Sequence, residues 1–266
     1  MEADGGWGRG PSDATMRIRG QPGTGSFRRE NPMKRLLLLS NSTSYDGGYL
    51  DHAMTAILEV FAGAKRMVFV PFAIHDHAAY TARVRERFAA EGIEVEGLAA
   101  GADGARALDH AEAVFVGGGN TFRLLDALQR AGFVEPLRRR ALGGMPYLGS
   151  SAGSVIAAPT LKTTNDMPIV RPESFDALGL VPFQVNAHYF DADPESKHMG
   201  ETRDDRLREY LEENDLPVVG LREGAWLRVA GDEVRLEGRA GARLFCRGAE
   251  PVEFQPGQLL PHPVGD

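Results

Sequence analysis

The chain has 266 residues, 42% hydrophobic and 25% charged, an ordinary globular balance for one large α/β domain or two small ones. Its formal net charge of −7 argues against a general nucleic-acid partner, and no apolar run approaches the roughly 18 residues needed to span a membrane. The single cysteine, Cys246, cannot close an intrachain disulfide, so a reducing, cytoplasmic setting is expected.

Residues 1–32 are rich in Gly, Arg, Ser and Pro and show no apolar period, so a disordered extension is expected there, ahead of a single domain over 33–266. A start at Met33 would account for that extension, and a secretory signal would need a central apolar segment that it lacks. Gly20–Ser26 (GQPGTGS) is no phosphate loop, because it has no lysine at the required place and follows no strand.

From Arg35 onward, short apolar runs alternate with amphipathic stretches. Arg35–Leu39 reads as a strand and Tyr49–Phe61 as a helix; Met67–Val70 is a second strand, ended by Pro71. Tyr80–Glu91 is helical, with Val84 and Phe88 four apart, and Ile93–Gly97 a third strand. A short helix over Ala105–Ala111 and a strand over Ala113–Val116 follow, then Gly117-Gly118-Gly119 and a helix over Phe122–Ala131. Met145–Leu148 is an apolar run, and Ala152–Ala158 is small and helix-compatible up to Pro159. The alternation predicts βαβ units around a mostly parallel, doubly wound sheet with helices on both faces. Val181–Asn186 and Pro217–Leu221 read as strands flanking a helix near Glu201–Asn214. Trp226–Val229, Glu233–Leu236, Leu244–Cys246 and Val252–Phe254 then predict a small antiparallel annex at the carboxyl end.

Between the strand of 145–148 and the next helix lies Gly149-Ser150-Ser151-Ala152-Gly153, a G-x-S-x-G pattern. Small residues on both sides of Ser151 allow a sharp strand-to-helix turn that exposes its hydroxyl. A serine needs a base to take its proton, and seven histidines are available: 52, 75, 77, 110, 188, 198 and 262. His52 and His110 lie in helical stretches, His198 in a polar loop and His262 in a Pro-rich tail. His75-Asp76-His77 lacks a third metal ligand at suitable spacing and reads as a solvated loop, so no metal or other cofactor is called for. His188 follows the apolar run Val181–Val185 at a strand end, where function gathers in doubly wound sheets. A carboxylate should orient it; Glu223, at the end of the strand 217–221, and Asp166, in a loop, both qualify. The three glycines of 117–119 leave backbone amides open to an oxygen-bearing group.

Together, Leu37–Thr43 (LLLSNST), Val116–Phe122 (VGGGNTF), Gly149–Gly153, Thr163–Val170 (TTNDMPIV), Asn186–His188, Gly200–Arg203 (GETR) and Leu221–Trp226 (LREGAW) resemble the aspartyl dipeptidase (peptidase E) family. The blocks run in order from about Leu36 to Cys246, and Ser150 stands where the family pattern carries a bulkier residue. The resemblance implies a class I glutamine amidotransferase-like (flavodoxin-like) fold and a serine peptidase that releases amino-terminal aspartate from Asp-X dipeptides. It implies Ser151 as nucleophile, His188 as base and Glu223 as orienting carboxylate, with Asp166 kept as the alternative. The amide of Ala152, with that of Gly118 or Gly119, would form the oxyanion hole. Arg203 would pair with the substrate carboxylate, and Asn120 would also bind substrate. A cyanophycinase-like hydrolase of aspartate–arginine polymer and a non-catalytic binding protein of the same fold stay open as alternatives. A homodimer stays open as well.

Overall fold

The computed structural model describes residues 33–45, 47–193, 195 and 199–261. The expected amino-terminal extension, the GQPGTGS stretch, His198 and His262 lie outside the described residues. Strand β1 (Arg35–Leu39) carries four consecutive leucines, all fully buried. A strand apolar on both faces must be covered on both sides, and the elements that follow supply the cover. They are α1 (Met54–Phe61), β2 (Arg66–Val70), α2 (His77–Ala89), β3 (Glu94–Gly97), α3 (Ala102–His110), β4 (Ala113–Val116), α4 (Thr121–Arg130), α5 (Val134–Leu142), β5 (Tyr147–Ser150) and α6 (Ala152–Val155). Strands β1 to β5 are parallel, in the order β3-β2-β4-β5-β1.

Alternate residues of each strand sort into two separate cores. Leu37, Leu39, Phe69 and Phe115 pack with Ile57 of α1 and Val84 and Phe88 of α2. Leu36, Leu38, Val68, Val70, Val114 and Val116 pack with Leu108 of α3, Leu124 and Leu128 of α4 and Leu137 of α5. Period-2 side-chain alternation thus divides the helices between the two faces of the sheet.

The carboxyl-terminal elements are β6 (Gln184–Tyr189), α7 (Arg203–Glu213), β7 (Val218–Arg222), β8 (Ala225–Ala230), β9 (Glu233–Gly238), β10 (Ala242–Phe245) and β11 (Val252–Phe254). They divide between two sheets. The β8–β9 hairpin joins the main sheet antiparallel to β1, extending it to seven strands. The other four strands form a second sheet in the order β11-β10-β7-β6, antiparallel except for the parallel β6–β7 pair that α7 connects.

Several boundaries differ from those read in the sequence. The helix expected from Tyr49 begins as a 3-10 turn over Asp51–Ala53, after Leu50 at φ 64°, and becomes α-helical only at Met54. Helix α5 carries Arg138, Arg139 and Arg140 and buries only Leu137 and Ala141, so its apolar face is too narrow to show as a period. Val181 and Phe183 are buried but lie outside the ladder, because Pro182 between them has no N–H to give it. Strand β6 therefore starts at Gln184 and carries His188 inside it, rather than just beyond its end.

Candidate active site

Ser151 sits between β5 and α6 at φ 52°, a left-handed conformation rare for a residue with a side chain. Steric limits explain the glycines around it. A Cβ at Gly149 would come within 2.6 Å of the Gly153 carbonyl oxygen, and one at Gly153 within 2.1 Å of the Val116 carbonyl oxygen. The turn is therefore built only if both positions lack side chains. At Gly118 a Cβ would meet the Ser151 Cβ at 3.1 Å, so the glycine turn after β4 runs directly against the serine.

His188 also has a positive φ, 54°, and lies at an irregularity in the β6–β7 register between Ala187 and Tyr189. Such a bulge re-aims one side chain out of the strand's alternation. Its Nε2 is 2.8 Å from the Ser151 Oγ, and its Nδ1 is 2.6 Å from Glu223 Oε1. Ser151, His188 and Glu223 thus form one continuous chain of contacts. The histidine and glutamate side chains are 42% and 62% exposed, so the acid end of the chain opens to water.

Asp166 is not part of that chain. Its Oδ2 accepts from the Thr121 N–H at 2.7 Å, the Thr121 hydroxyl at 2.6 Å and the Thr164 hydroxyl at 3.1 Å. It satisfies the amino end of α4, where a negative charge is favoured by the orphan N–H groups. Asn120 is the N-cap of the same helix: its Oδ1 accepts from the Arg123 N–H, and its Nδ2 donates to the Met167 carbonyl. These contacts fasten the 163–167 segment to the glycine turn. On its other side the segment is held to β6: Asn165 Nδ2 donates to the Ala187 carbonyl at 2.7 Å, and Asn186 Nδ2 to the Thr163 carbonyl at 2.8 Å.

Among the described residues, the backbone N–H groups of Ala152 and Gly119 have no acceptor. Ala152 is the first residue of α6, whose amides point away from the helix body. The Gly118 N–H has no backbone acceptor among them either. Burial pushes the phenol of nearby Tyr80 upward. The amides open to an incoming oxygen are accordingly that of Ala152 with that of Gly118 or Gly119.

Arg203 opens α7, and its guanidinium carbon lies 5.0 Å from the centroid of the Phe190 ring. Its Nε is buried without a partner, and it makes no ion pair among the described residues. Burial, and then the neighbouring Arg206, lower its pKa from the ordinary guanidinium value. It lines a cavity of ≈ 400 Å³ together with Phe190, Asp191, Asp193, Thr202 and Arg206. That cavity begins two residues past His188 in the chain and is not lined by the triad itself.

Five ion-paired residues form a cluster that includes Asp191 of the cavity lining. Arg222, which precedes Glu223, pairs with Asp191 and with Glu253 at distances down to 2.6 and 2.9 Å. Arg243 joins Asp204 at 2.8 Å, and the Tyr189 hydroxyl donates to Asp204 at 2.6 Å. Elsewhere, Asp76 caps α2 through the Ala79 N–H, and the His77 ring lies 5.3 Å from that of Phe72. Ser40 and Asn41 fall in the LLLSNST block that carries the resemblance, but nothing in the sequence gave either a role. Both are buried at the end of β1 and bonded to the histidine and glutamate segments.

Comparison with known proteins gives a consistent result. The model of peptidase family S51 matches residues 36–237. The chain is 58% identical over 225 residues to peptidase E of Streptomyces coelicolor, covering 85% of this chain and 93% of that protein. It is 46% identical over 226 residues to a probable alpha-aspartyl dipeptidase of Drosophila melanogaster, covering 84% and 94%. Among solved structures, a peptidase from an acI-B1 actinobacterium shares the fold, with a TM-score of 0.65 at 17% identity over 86% of this chain and 98% of the other.

Proposed function

The chain belongs to peptidase family S51, and on that premise we propose that it is a serine-type dipeptidase releasing amino-terminal aspartate from Asp-X dipeptides, with Ser151, His188 and Glu223 as its triad. The observation that carries the reading is the unbroken contact from Glu223 Oε1 through both ring nitrogens of His188 to the Ser151 Oγ. A hydroxyl aligned with an imidazole at 2.8 Å is ready to give up its proton as the oxygen attacks a carbonyl.

The steps follow from the placement of each group. His188 Nε2 takes the Ser151 proton as Oγ bonds to the peptide carbon. The carbonyl oxygen, now negative, receives the N–H group of Ala152 and that of Gly118 or Gly119, and losing one such donor costs about 2.7–4 kcal/mol of transition-state stabilisation. His188 then protonates the leaving amine, the C–N bond breaks, and an aspartyl ester remains on Ser151. Water, deprotonated by His188, hydrolyses that ester. Throughout, Glu223 stabilises the imidazolium and fixes its tautomer.

Arg203 supplies the specificity. A guanidinium held half-buried with an unpartnered Nε is suited to a short carboxylate, and a neutral side chain in its place would leave the cation unpaired. The test is turnover of Asp-Leu, Glu-Leu, Asn-Leu and cyanophycin by the purified protein. Ser151→Ala should abolish hydrolysis of Asp-Leu, and Arg203→Met should lower it far more than it lowers labelling of Ser151 by a small acylating reagent. Equal loss of both would make Arg203 structural, and release of aspartate–arginine units from cyanophycin in preference to Asp-Leu would overturn the dipeptidase reading.

A further inference from the structure

Three consecutive residues at the carboxyl end of β1 hold the three segments that carry the triad. The Leu39 carbonyl accepts from the Ser151 N–H at 3.0 Å and from the Ser154 hydroxyl at 2.7 Å. The Ser40 Oγ accepts from the His188 N–H at 2.9 Å and donates to the Leu221 carbonyl at 2.7 Å. The Asn41 Oδ1 accepts from the Gly224 N–H at 2.8 Å. Leu221 and Gly224 flank the Arg222-Glu223 step, so two adjacent side chains grip the glutamate segment on both sides. Ser40 is wholly buried and Asn41 is 4% exposed, so water does not reach in to replace these bonds.

We propose that Ser40 is a positioning residue of the hydrolytic site, and that its hydroxyl holds His188 in the left-handed conformation from which the imidazole reaches Ser151 and Glu223 together. The inference rests on the triad reading. A histidine at φ 54° persists only where its surroundings over-determine it, because a side chain at positive φ is strained. Its amide, turned out of the β6 ladder at the bulge, needs an acceptor in a buried place, and Ser40 Oγ is that acceptor. The same oxygen donates to β7, so one hydroxyl couples the strand of the base to the strand of the acid. Removing it leaves the His188 N–H unpaired and takes one donor from the Leu221 carbonyl, and His188 relaxes toward ordinary β geometry. That swings the ring off its line to Ser151 while substrate-binding groups stay in place.

The experiment combines Ser40→Ala with His188→Ala, each alone and together, in turnover of aspartyl p-nitroanilide. Ser40→Ala is expected to lower kcat about 10- to 100-fold, the usual effect of misplacing a reacting group by an ångström, with KM within about threefold. In the His188→Ala background, Ser40→Ala should change the residual rate by less than about twofold, because a group acting through His188 has nothing left to act on. Ser40→Thr, which keeps the hydroxyl, should recover most of kcat. An equal fold-loss in both backgrounds would assign Ser40 to general packing and overturn the proposal. So would a Ser40→Ala enzyme with wild-type kcat beside a crippled His188→Ala. A His188→Ala enzyme with unchanged kcat would instead bring down the triad reading itself. Should Ser40→Ala not fold by thermal melt, Ser40→Cys, which keeps the volume but weakens both hydrogen bonds, makes the same comparison in the wild-type and His188→Ala backgrounds.

Discussion

Replacing Glu223 with glutamine removes a charge and little else. The carboxylate lies 2.6 Å from His188 Nδ1 and is 62% exposed, so a glutamine side chain has room to turn its carbonyl oxygen to the same N–H. The tautomer that leaves Nε2 free for Ser151 is then kept, and what disappears is the attraction between carboxylate and imidazolium as His188 takes the proton. With charge centres near 4 Å, that attraction is about 1 kcal/mol in bulk water and about 4 kcal/mol at the effective dielectric of a protein surface. The exposure of both partners places this pair between the limits, at about 2–3 kcal/mol, so kcat on Asp-Leu should fall about 30- to 150-fold. KM should stay nearly constant, since Glu223 has no place in the Arg203 cavity. Asp166→Asn is the matched control. It weakens the amino end of α4 and should reduce stability by about 0.5–2 kcal/mol, as loss of a helix cap does. Leucine release at saturating substrate and thermal melts measure the two effects. A Glu223→Gln enzyme within about twofold of wild type, beside an Asp166→Asn enzyme losing a hundredfold in kcat at unchanged stability, would refute Glu223 as the orienting acid.

Ser150 is fully buried and its Oγ has no hydrogen-bond partner, so Ser150→Ala removes an unsatisfied hydroxyl. It should leave most activity intact and hold or slightly raise the melting temperature; a lost activity comparable to Ser151→Ala would place the nucleophile on the wrong serine. Hydrogen bonds from Arg222 hold the carboxyls of Asp191 and Glu253 below the usual carboxylate range. Carboxylates with depressed folded pKa values stabilise fully above their unfolded values, about 4, and lose that contribution as the pH falls through the folded values. The stability gap between wild type and Arg222→Met should therefore be widest near neutrality and close in acid. Chemical denaturation across that range checks it, and a gap independent of pH would mean that the cluster contributes nothing through its charges.

The order of strands and helices was legible in the sequence because the parallel strands read as unbroken apolar runs, as in Leu36–Leu39 and Val114–Val116. The elbow was legible for an equally local reason. Gly149 and Gly153 stand where any Cβ would strike backbone, so the requirement for small residues is written at the turn itself. Helix α5 escaped because its arginines outnumber its buried positions, and β6 was misplaced because Val181 and Phe183 are buried without being paired.

The candidate site was legible only in part. Local pattern nominated Ser151 and His188 and put Glu223 at a strand end beside them, but it kept Asp166 as the competitor, since both are carboxylates in turns. Tertiary structure separates them, bringing Glu223 to the imidazole and turning Asp166 to the end of α4. It alone also sets Ser40 against His188, 148 positions away, and Asn41 against Gly224, 183 positions away. The physical reason is that periodicity records which face of an element is buried, through interactions a few residues apart. The hydrogen bonds that aim a catalytic side chain run between strand ends brought together by the winding of the sheet, and no local pattern encodes which ends will meet.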